Sequence, residues 1–291
     1  MVYAGQLFGQ ALVNGILVSG IYALAASGLA LAFGVVKFLN LAHGEFLMLA
    51  AYFGIIVFST YGLDPLLMTP VVFILFFILG AAYYKALVKP VLKAGELNQL
   101  LLTFGISIFL QNLALLIFGG TIRTISVPYR THTISFWGIN FGTARLFILL
   151  LSIVLLVLLY QVLQRTRVGR SIRAVSQEPE GAALVGIDSE SVYLIALGIA
   201  VGFASVAGMM LSIIFQAEPM VGFNFTLKGL AVVVMAGLGN VYGVIWASLL
   251  LGITESFIGV FLPNGTGWSG AIFFLMILGG LVVRQSRVRT I

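Results

Sequence analysis

The side chains in this chain that could do chemistry are few, and most lie at the edges of apolar runs. Asn40-Leu-Ala-His-Gly-Glu45 brings an amide, an imidazole and a carboxyl together. His43 and Glu45 stand two apart and do not share a helix face, which speaks against a helical metal pair or an acid–base dyad. Asn40 and His43 suit backbone groups left free at a helix end, and Glu45 suits the positive N-terminal end of the next helix. Glu218, Lys228 and Glu255 invite a proton-relay reading, because charge inside a membrane is usually functional. Glu218, placed before Pro219, and Lys228 flank an expected outside turn where water reaches them. That leaves Glu255 as the carboxyl to test.

Several chemistries have no residues to carry them. There is no Gly-x-x-x-x-Gly-Lys-Ser/Thr loop to cradle nucleotide phosphates, no His-Glu-x-x-His, and no grouping of Ser, His and Asp. The chain has no Cys, hence neither a disulfide framework nor a thiolate metal site. No catalytic residue, cofactor or metal is expected, and an intramembrane enzyme has little support. If transport is active, its energy comes from a partner or an ion gradient.

The elements that must position these residues are membrane helices. Of 291 residues 61% are apolar and 8% charged, and mean hydropathy is +1.15, where soluble domains carry about 25% charge. Apolar runs long enough to cross a bilayer, roughly 20 residues each, follow one another closely. The fold class expected is an all-α, polytopic transmembrane bundle of about eight to ten crossings that includes short broken helices. Met1 to Val36 contains no Asp, Glu, Lys or Arg and reads as a retained membrane segment, not a removable signal peptide. The net charge of +6 falls in clusters that suit cytoplasmic loops facing lipid headgroups, not nucleic acid. These are Lys85, Lys89 and Lys93, then Arg165, Arg167, Arg170 and Arg173, then Arg284, Arg287 and Arg289. The C-terminus is accordingly expected in the cytoplasm, while Arg123, Arg130 and Arg145 fall outside against the bias.

Spans are read over Leu7–Leu24, Phe46–Leu63, Leu66–Tyr84, Leu97–Phe118, Leu146–Gln164 and Val192–Ala217. Another runs from the turn Gly237-Leu-Gly-Asn-Val-Tyr-Gly243 to Leu262, and Trp268 anchors the last. Two short pieces complete the parity. Gly28–Phe38 leads into the polar turn at Asn40, and Gly229–Gly239 is bounded by glycine and long enough for about half a hydrocarbon core. Gly28-Leu-Ala-Leu-Ala32 and Gly229-Leu-Ala-Val-Val233 open alike. They read either as an internal repeat around a pathway lined by discontinuous helices or as shared composition alone. In the same reading Asn40, His43, Glu45, Gly237, Gly239, Asn240 and Glu255 mark pathway or broken-helix turns. Glycine, 34 of 291 residues, mainly lets helix backbones approach.

The longest cytoplasmic loop, 165–190, contains a helix legible from its punctuation. Pro179 fits a first helical position. Glu178 and Glu180 suit its N-terminal end, and Gly186 suits a left-handed cap. Two turns are too few to persist alone in water, so this helix must dock, either on anionic lipid or in the groove of a motor subunit. The coupling residues would be Arg170, Arg173, Gln177, Glu178, Pro179, Glu180, Ala183 and Gly186.

Four stretches, in order, carry a family likeness. They are Gly28-Leu-Ala-Leu-Ala-Phe-Gly-Val-Val36 with Leu39-Asn-Leu-Ala-His-Gly-Glu-Phe-Leu-Met48 and Ala51-Tyr52; Thr103-Phe-Gly-Ile-Ser-Ile-Phe-Leu-Gln-Asn112; Thr166-Arg-Val-Gly-Arg-Ser-Ile-Arg-Ala174 with Ala182-Ala183 and Gly186-Ile187; and Lys228 to Glu255. Together they resemble the branched-chain amino acid ABC permease family, LivH type, over essentially the whole chain. The resemblance implies a single permease domain, 1–291, in a prokaryotic inner membrane, forming half of a pore. It implies as partners a second, LivM-type permease subunit, two ATP-binding subunits and an extracytoplasmic substrate-binding protein. The family loop often carries Asp or Asn near position 178, where this chain has Gln177-Glu178-Pro179-Glu180. Members similar to urea and short-amide permeases keep the substrate open, and a stand-alone ion-coupled carrier or channel is the competing class.

Overall fold

The computed structural model describes residues 2–279 apart from 137, 238, 264, 266, 269, 272 and 273. Arg284, Arg287 and Arg289, and the end of the last expected span, lie outside the described residues.

Hydrocarbon leaves no solvent partner for a free backbone N–H or C=O, so apolar runs of this length close their hydrogen bonds within helices. They are α1 (Val2–Val36), α2 (His43–Tyr61), α3 (Thr69–Tyr83), α4 (Lys89–Val91), α5 (Glu96–Phe118), α6 (Thr143–Arg165), α7 (Arg167–Gln177), α8 (Pro179–Leu184), α9 (Ser189–Ile214), α10 (Val221–Ala236) and α11 (Val241–Phe261). A π-helical turn, Tyr84–Val88, joins α3 to α4 as one span. Among the described residues seven helices are long and apolar enough to cross a membrane. The shorter α10 makes an eighth apolar helix, and described residues between 265 and 279 are helical too.

The bundle is built around α1 and α9, with α2, α10 and α11 packed against them, while α5 and α6 present most of their surface outward. Small side chains let α9 run through the middle, buried from Ala196 to Ile213 without interruption. The outer helices are studded with exposed Leu, Ile, Val and Phe, as lipid requires. Ser176 Oγ donates to the Gly34 carbonyl at one end, near Gly239, and the first two basic clusters share that end. At the other end Gln10 binds the Asn140 backbone and Tyr129 donates to Asp64. A two-stranded antiparallel hairpin, β1 (Thr133–Phe136) and β2 (Ile139–Gly142), sits there in the polar stretch expected as loop.

Two expectations about breaks are corrected. The pieces Leu7–Leu24 and Gly28–Phe38 are one helix of 35 residues. Gly28 lies where the Ala200 carbonyl of α9 would stand 2.5 Å from a Cβ, so it serves close approach. Glycine inside a helix costs only about 1 kcal/mol, less than opening backbone to lipid. The second piece does not start at Gly229, which is mid-helix; α10 runs from Val221 over 16 residues, about 24 Å at the helical rise. Its break is where expected, at Gly237 and Gly239 with φ of +92° and +80°. Asn240 Oδ1 then accepts from Gly243 N to start α11. With Gly28 inside a long helix and Gly229 inside a short one, the similar opening phrases do not mark equivalent pieces.

Candidate functional site

Among the described residues, polar groups gather at three places in this apolar bundle. The first sits between α1, α10 and α11. Lys228 Nζ donates to Glu255 Oε1 at 2.7 Å and to Tyr22 Oη at 3.2 Å, and the Tyr22 hydroxyl donates to Glu255 Oε2 at 2.6 Å. Lys228 Nζ also lies 5.0 Å from the Tyr22 ring centroid and 5.6 Å from that of Phe225, within cation–π range. The pair faces a cavity of about 490 Å³, which Arg130 and Glu218 also line at the hairpin end. Lys228 therefore does not flank an outside turn, as expected from sequence; it is seven residues inside α10 and paired. α1 and α11 meet at Gly15 and Gly252 in a backbone approach, and that closeness brings Tyr22 to Glu255 across 233 positions of chain.

The second place is wholly interior. Glu45, in the first turn of α2 as expected, is fully buried. Its Oε1 accepts from Ser107 Oγ and Gln111 Nε2, each at 2.8 Å. Its Oε2 has no hydrogen-bond partner among the described residues and points at Gly222. Gly44 N donates to Thr226 Oγ1 at 2.8 Å, fixing α2 to α10 beside it. Asn40, in the link before α2, accepts through Oδ1 from Ala42 N and from Tyr83 Oη, both at 3.1 Å. His43 Nε2 lies 3.1 Å from the Ala25 carbonyl of α1. Asn40 and His43 thus meet backbone groups, but not at the end of the preceding helix as expected: Asn40 takes an amide before α2 and His43 reaches a carbonyl in the middle of α1. Replacing Glu45 by Ala strands the buried Ser107 hydroxyl, a loss of about 1–3 kcal/mol, and leaves the half-buried Gln111 amide only its bond to Ser107 Oγ, whereas Gln keeps an acceptor for both. Thermal unfolding of the detergent-purified protein, followed by size-exclusion chromatography, should show Glu45→Ala clearly less stable than Glu45→Gln.

The third place is the basic end, where a cavity of about 580 Å³ is lined by Lys37, Glu96, Gln99 and Ser176. Thr166 starts α7, its Oγ1 accepting from Gly169 N at 3.0 Å. Gly169, Ile172 and Val175 turn inward, and Arg167 and Arg170 are exposed. The two-turn helix read from sequence is α8: Glu178 precedes it, Pro179 opens it, and Gly186 follows at φ +81°. Glu178, Glu180, Ala183 and Gly186 are exposed with Gln177, and Leu184 and Val185 are 90% and 76% exposed. Arg173 differs from the other predicted coupling residues, since its guanidinium donates back to the Leu163 carbonyl and ties α7 to α6. Beyond α8, Asp188 accepts from Ser191 Oγ and from the amides of Glu190 and Ser191 at the start of α9. The Ser191 hydroxyl and those amides hold its carboxyl below the usual carboxylate range. Its contribution to that helix start is therefore complete above the ordinary value and fades only as pH falls through the lowered one.

Sequence reasoning missed Tyr22, Ser107 and Gln111, and it set Lys228 aside. Gln111 was visible as an amide in the middle of an apolar span, which in lipid demands a partner. Nothing local distinguishes Tyr22 from a packed tyrosine.

A bundle of apolar helices with paired charges and polar cavities toward opposite ends defines a multi-pass membrane protein of the transport class. The family described as branched-chain amino acid transport system / permease component matches residues 11–281, and the chain belongs to it. It is similar to the high-affinity branched-chain amino acid transport system permease protein LivH of Salmonella typhimurium, 27% identical over 97% of this chain and 95% of the relative. It is 28% identical to the permease protein BraD of Pseudomonas aeruginosa over 85% of each chain. To a probable LivH of Methanocaldococcus jannaschii it is 26% identical over 92% of this chain and 87% of the relative. No solved structure matches it.

Proposed function

We propose that this chain is one of two membrane subunits of an ABC importer and forms half of the path for branched-chain amino acids. Separate ATPase chains drive it, a LivM-type permease completes the pore, and an extracytoplasmic binding protein delivers the substrate. The observation that carries the reading is α8. A six-residue helix that leaves Leu184 and Val185 almost fully exposed beside the arginines of α7 is too short to stand for its own sake. Such a helix suits a groove on another protein, with Arg170, Gln177, Glu178, Glu180 and Ala183 around the apolar tip and Pro179 and Gly186 bounding it. Segment 165–190 is then the cytoplasmic coupling loop. The positive-inside bias assigns this end, with Lys85, Lys89 and Lys93, to the cytoplasm and takes the C-terminus with it. Asn40, Glu45 and Glu255 with the turn at Gly237, Gly239 and Asn240 belong to the path between the ends, and His43 helps to hold its wall.

The test is reconstitution. Proteoliposomes holding the chain with its permease partner, the ATPases and the binding protein should accumulate leucine only with ATP inside the motor's compartment. Leucine uptake by this chain alone, driven by an ion gradient, would establish the carrier reading instead. Uptake of urea or short amides in place of leucine would keep the architecture and change the substrate.

A further inference from the structure

The Lys228–Glu255 pair is an unusual use of charge in a chain with 15 basic and 9 acidic residues. Buried ion pairs add little stability over apolar side chains of similar volume. This one is not sealed in either: the side chains are 18% and 28% exposed, and both open to the cavity at the hairpin end. An ammonium has three donors, and among the described residues Lys228 spends one on Glu255 and one on Tyr22. A carboxylate has about four acceptor sites, and each Glu255 oxygen has a single hydrogen-bond partner there. Among the described residues one donor and at least two acceptor sites therefore remain unused. The cavity wall offers the apolar Ile214, Phe215, Val221 and Phe225 beside them, with Gln216, Arg130 and Glu218 on the rest of its lining. Its volume lies within the roughly 300–1,000 Å³ of small-ligand sites.

We propose that Tyr22, Lys228 and Glu255 form a zwitterion subsite, in which Lys228 takes an α-carboxylate, Glu255 takes the α-ammonium, and Phe215, Val221 and Phe225 take an aliphatic side chain. The inference rests on the amino acid import reading and deepens it. A zwitterion brings one charge of each sign, so its arrival leaves the net charge of the site unchanged. The resident ion pair keeps the empty site neutral, which a single charge could not do in a low-dielectric wall. Weak, reversible occupancy follows, because the ligand must share groups that already satisfy one another, and a transport path requires release.

The complete transporter in nanodiscs, without binding protein, should be titrated with L-leucine, with its des-amino counterpart isocaproate, and with isoamylamine. The wild type is expected to prefer leucine. Glu255→Gln should shift the leucine-to-isocaproate preference by about tenfold or more toward the acid, and Lys228→Met should shift it toward the amine. Lys228→Arg and Glu255→Asp, which keep both charges, should retain the leucine preference, as should the exchanged pair Lys228→Glu with Glu255→Lys. Unaltered preference ratios in the single-charge variants, or no preference for leucine in the wild type, overturn the subsite. These outcomes are separate from those of the import reading, which fails if the wild-type complex does not couple ATP to leucine uptake.

Discussion

Leucine in place of Gly44 is expected to leave almost no folded protein. A Cβ there would stand 1.9 Å from the Gly222 carbonyl oxygen and 2.5 Å from Thr226 Oγ1, the atom that accepts from the Gly44 amide. The first obstacle is backbone, which cannot rotate away as a side-chain tip can. Relief requires pulling α2 off α10, and with it Glu45 from the wall formed with Ser107 and Gln111. Overpacking typically costs about 1–3 kcal/mol, and more where the obstacle is backbone, a large part of a normal stability. Gly208→Leu should behave similarly, because a Cβ there would meet the Leu47 carbonyl at 2.0 Å. Gly105→Ala is the control. It lies exposed within α5 with nothing within 4 Å of its Cβ position, and should be neutral or gain up to about 1 kcal/mol. Size-exclusion profiles of fluorescent fusions in mild detergent decide the matter. A monodisperse Gly44→Leu protein would show that α2 and α10 do not pack this closely.

The second large effect is expected at α8, and it should appear only in the assembled transporter. Proline at Ala183 removes an amide donor and crowds the Pro179 carbonyl one turn back, which destroys a helix this short. Leu184→Asp leaves the backbone alone and replaces a side chain that is 90% exposed. Neither change should disturb insertion or the monodispersity of the isolated subunit. Both should lower recovery of the ATPase in pull-down and reduce ATP-driven leucine uptake by about tenfold or more, the loss expected when one central apolar anchor of an interface is removed. Glu178→Lys belongs in the same series, because Glu178 is exposed. Arg173→Glu does not, because Arg173 is tied to the Leu163 carbonyl, and its loss should loosen α7 itself. Full ATPase recovery with Ala183→Pro and Leu184→Asp would remove α8 from the interface.

Where a signal was local, it could be read directly. Pro179 and Gly186 bound α8 because ring geometry and positive φ are properties of single residues. The ends of α5 and α6 fall within about three residues of the apolar runs, for composition alone decides what lipid will accept. Gly28 and Gly229 misled for a related reason. A glycine can signify a break or a close neighbour, and which of the two applies depends on whether another backbone, here Ala200, lies opposite.

The amino acid order by itself determined that this chain is a bundle of membrane helices, where its polar punctuation falls, and that it has no phosphate-binding loop of its own. Those properties follow from side-chain transfer energies and backbone geometry over a few neighbouring positions. Only the tertiary structure decided that Lys228 faces Glu255 and Tyr22, that Glu45 is closed in by Ser107 and Gln111, and that α1 passes Gly28 unbroken. Each of these joins segments far apart in the chain through contacts between helices, and a charge in an apolar run has no fixed meaning until its neighbours across the bundle are known.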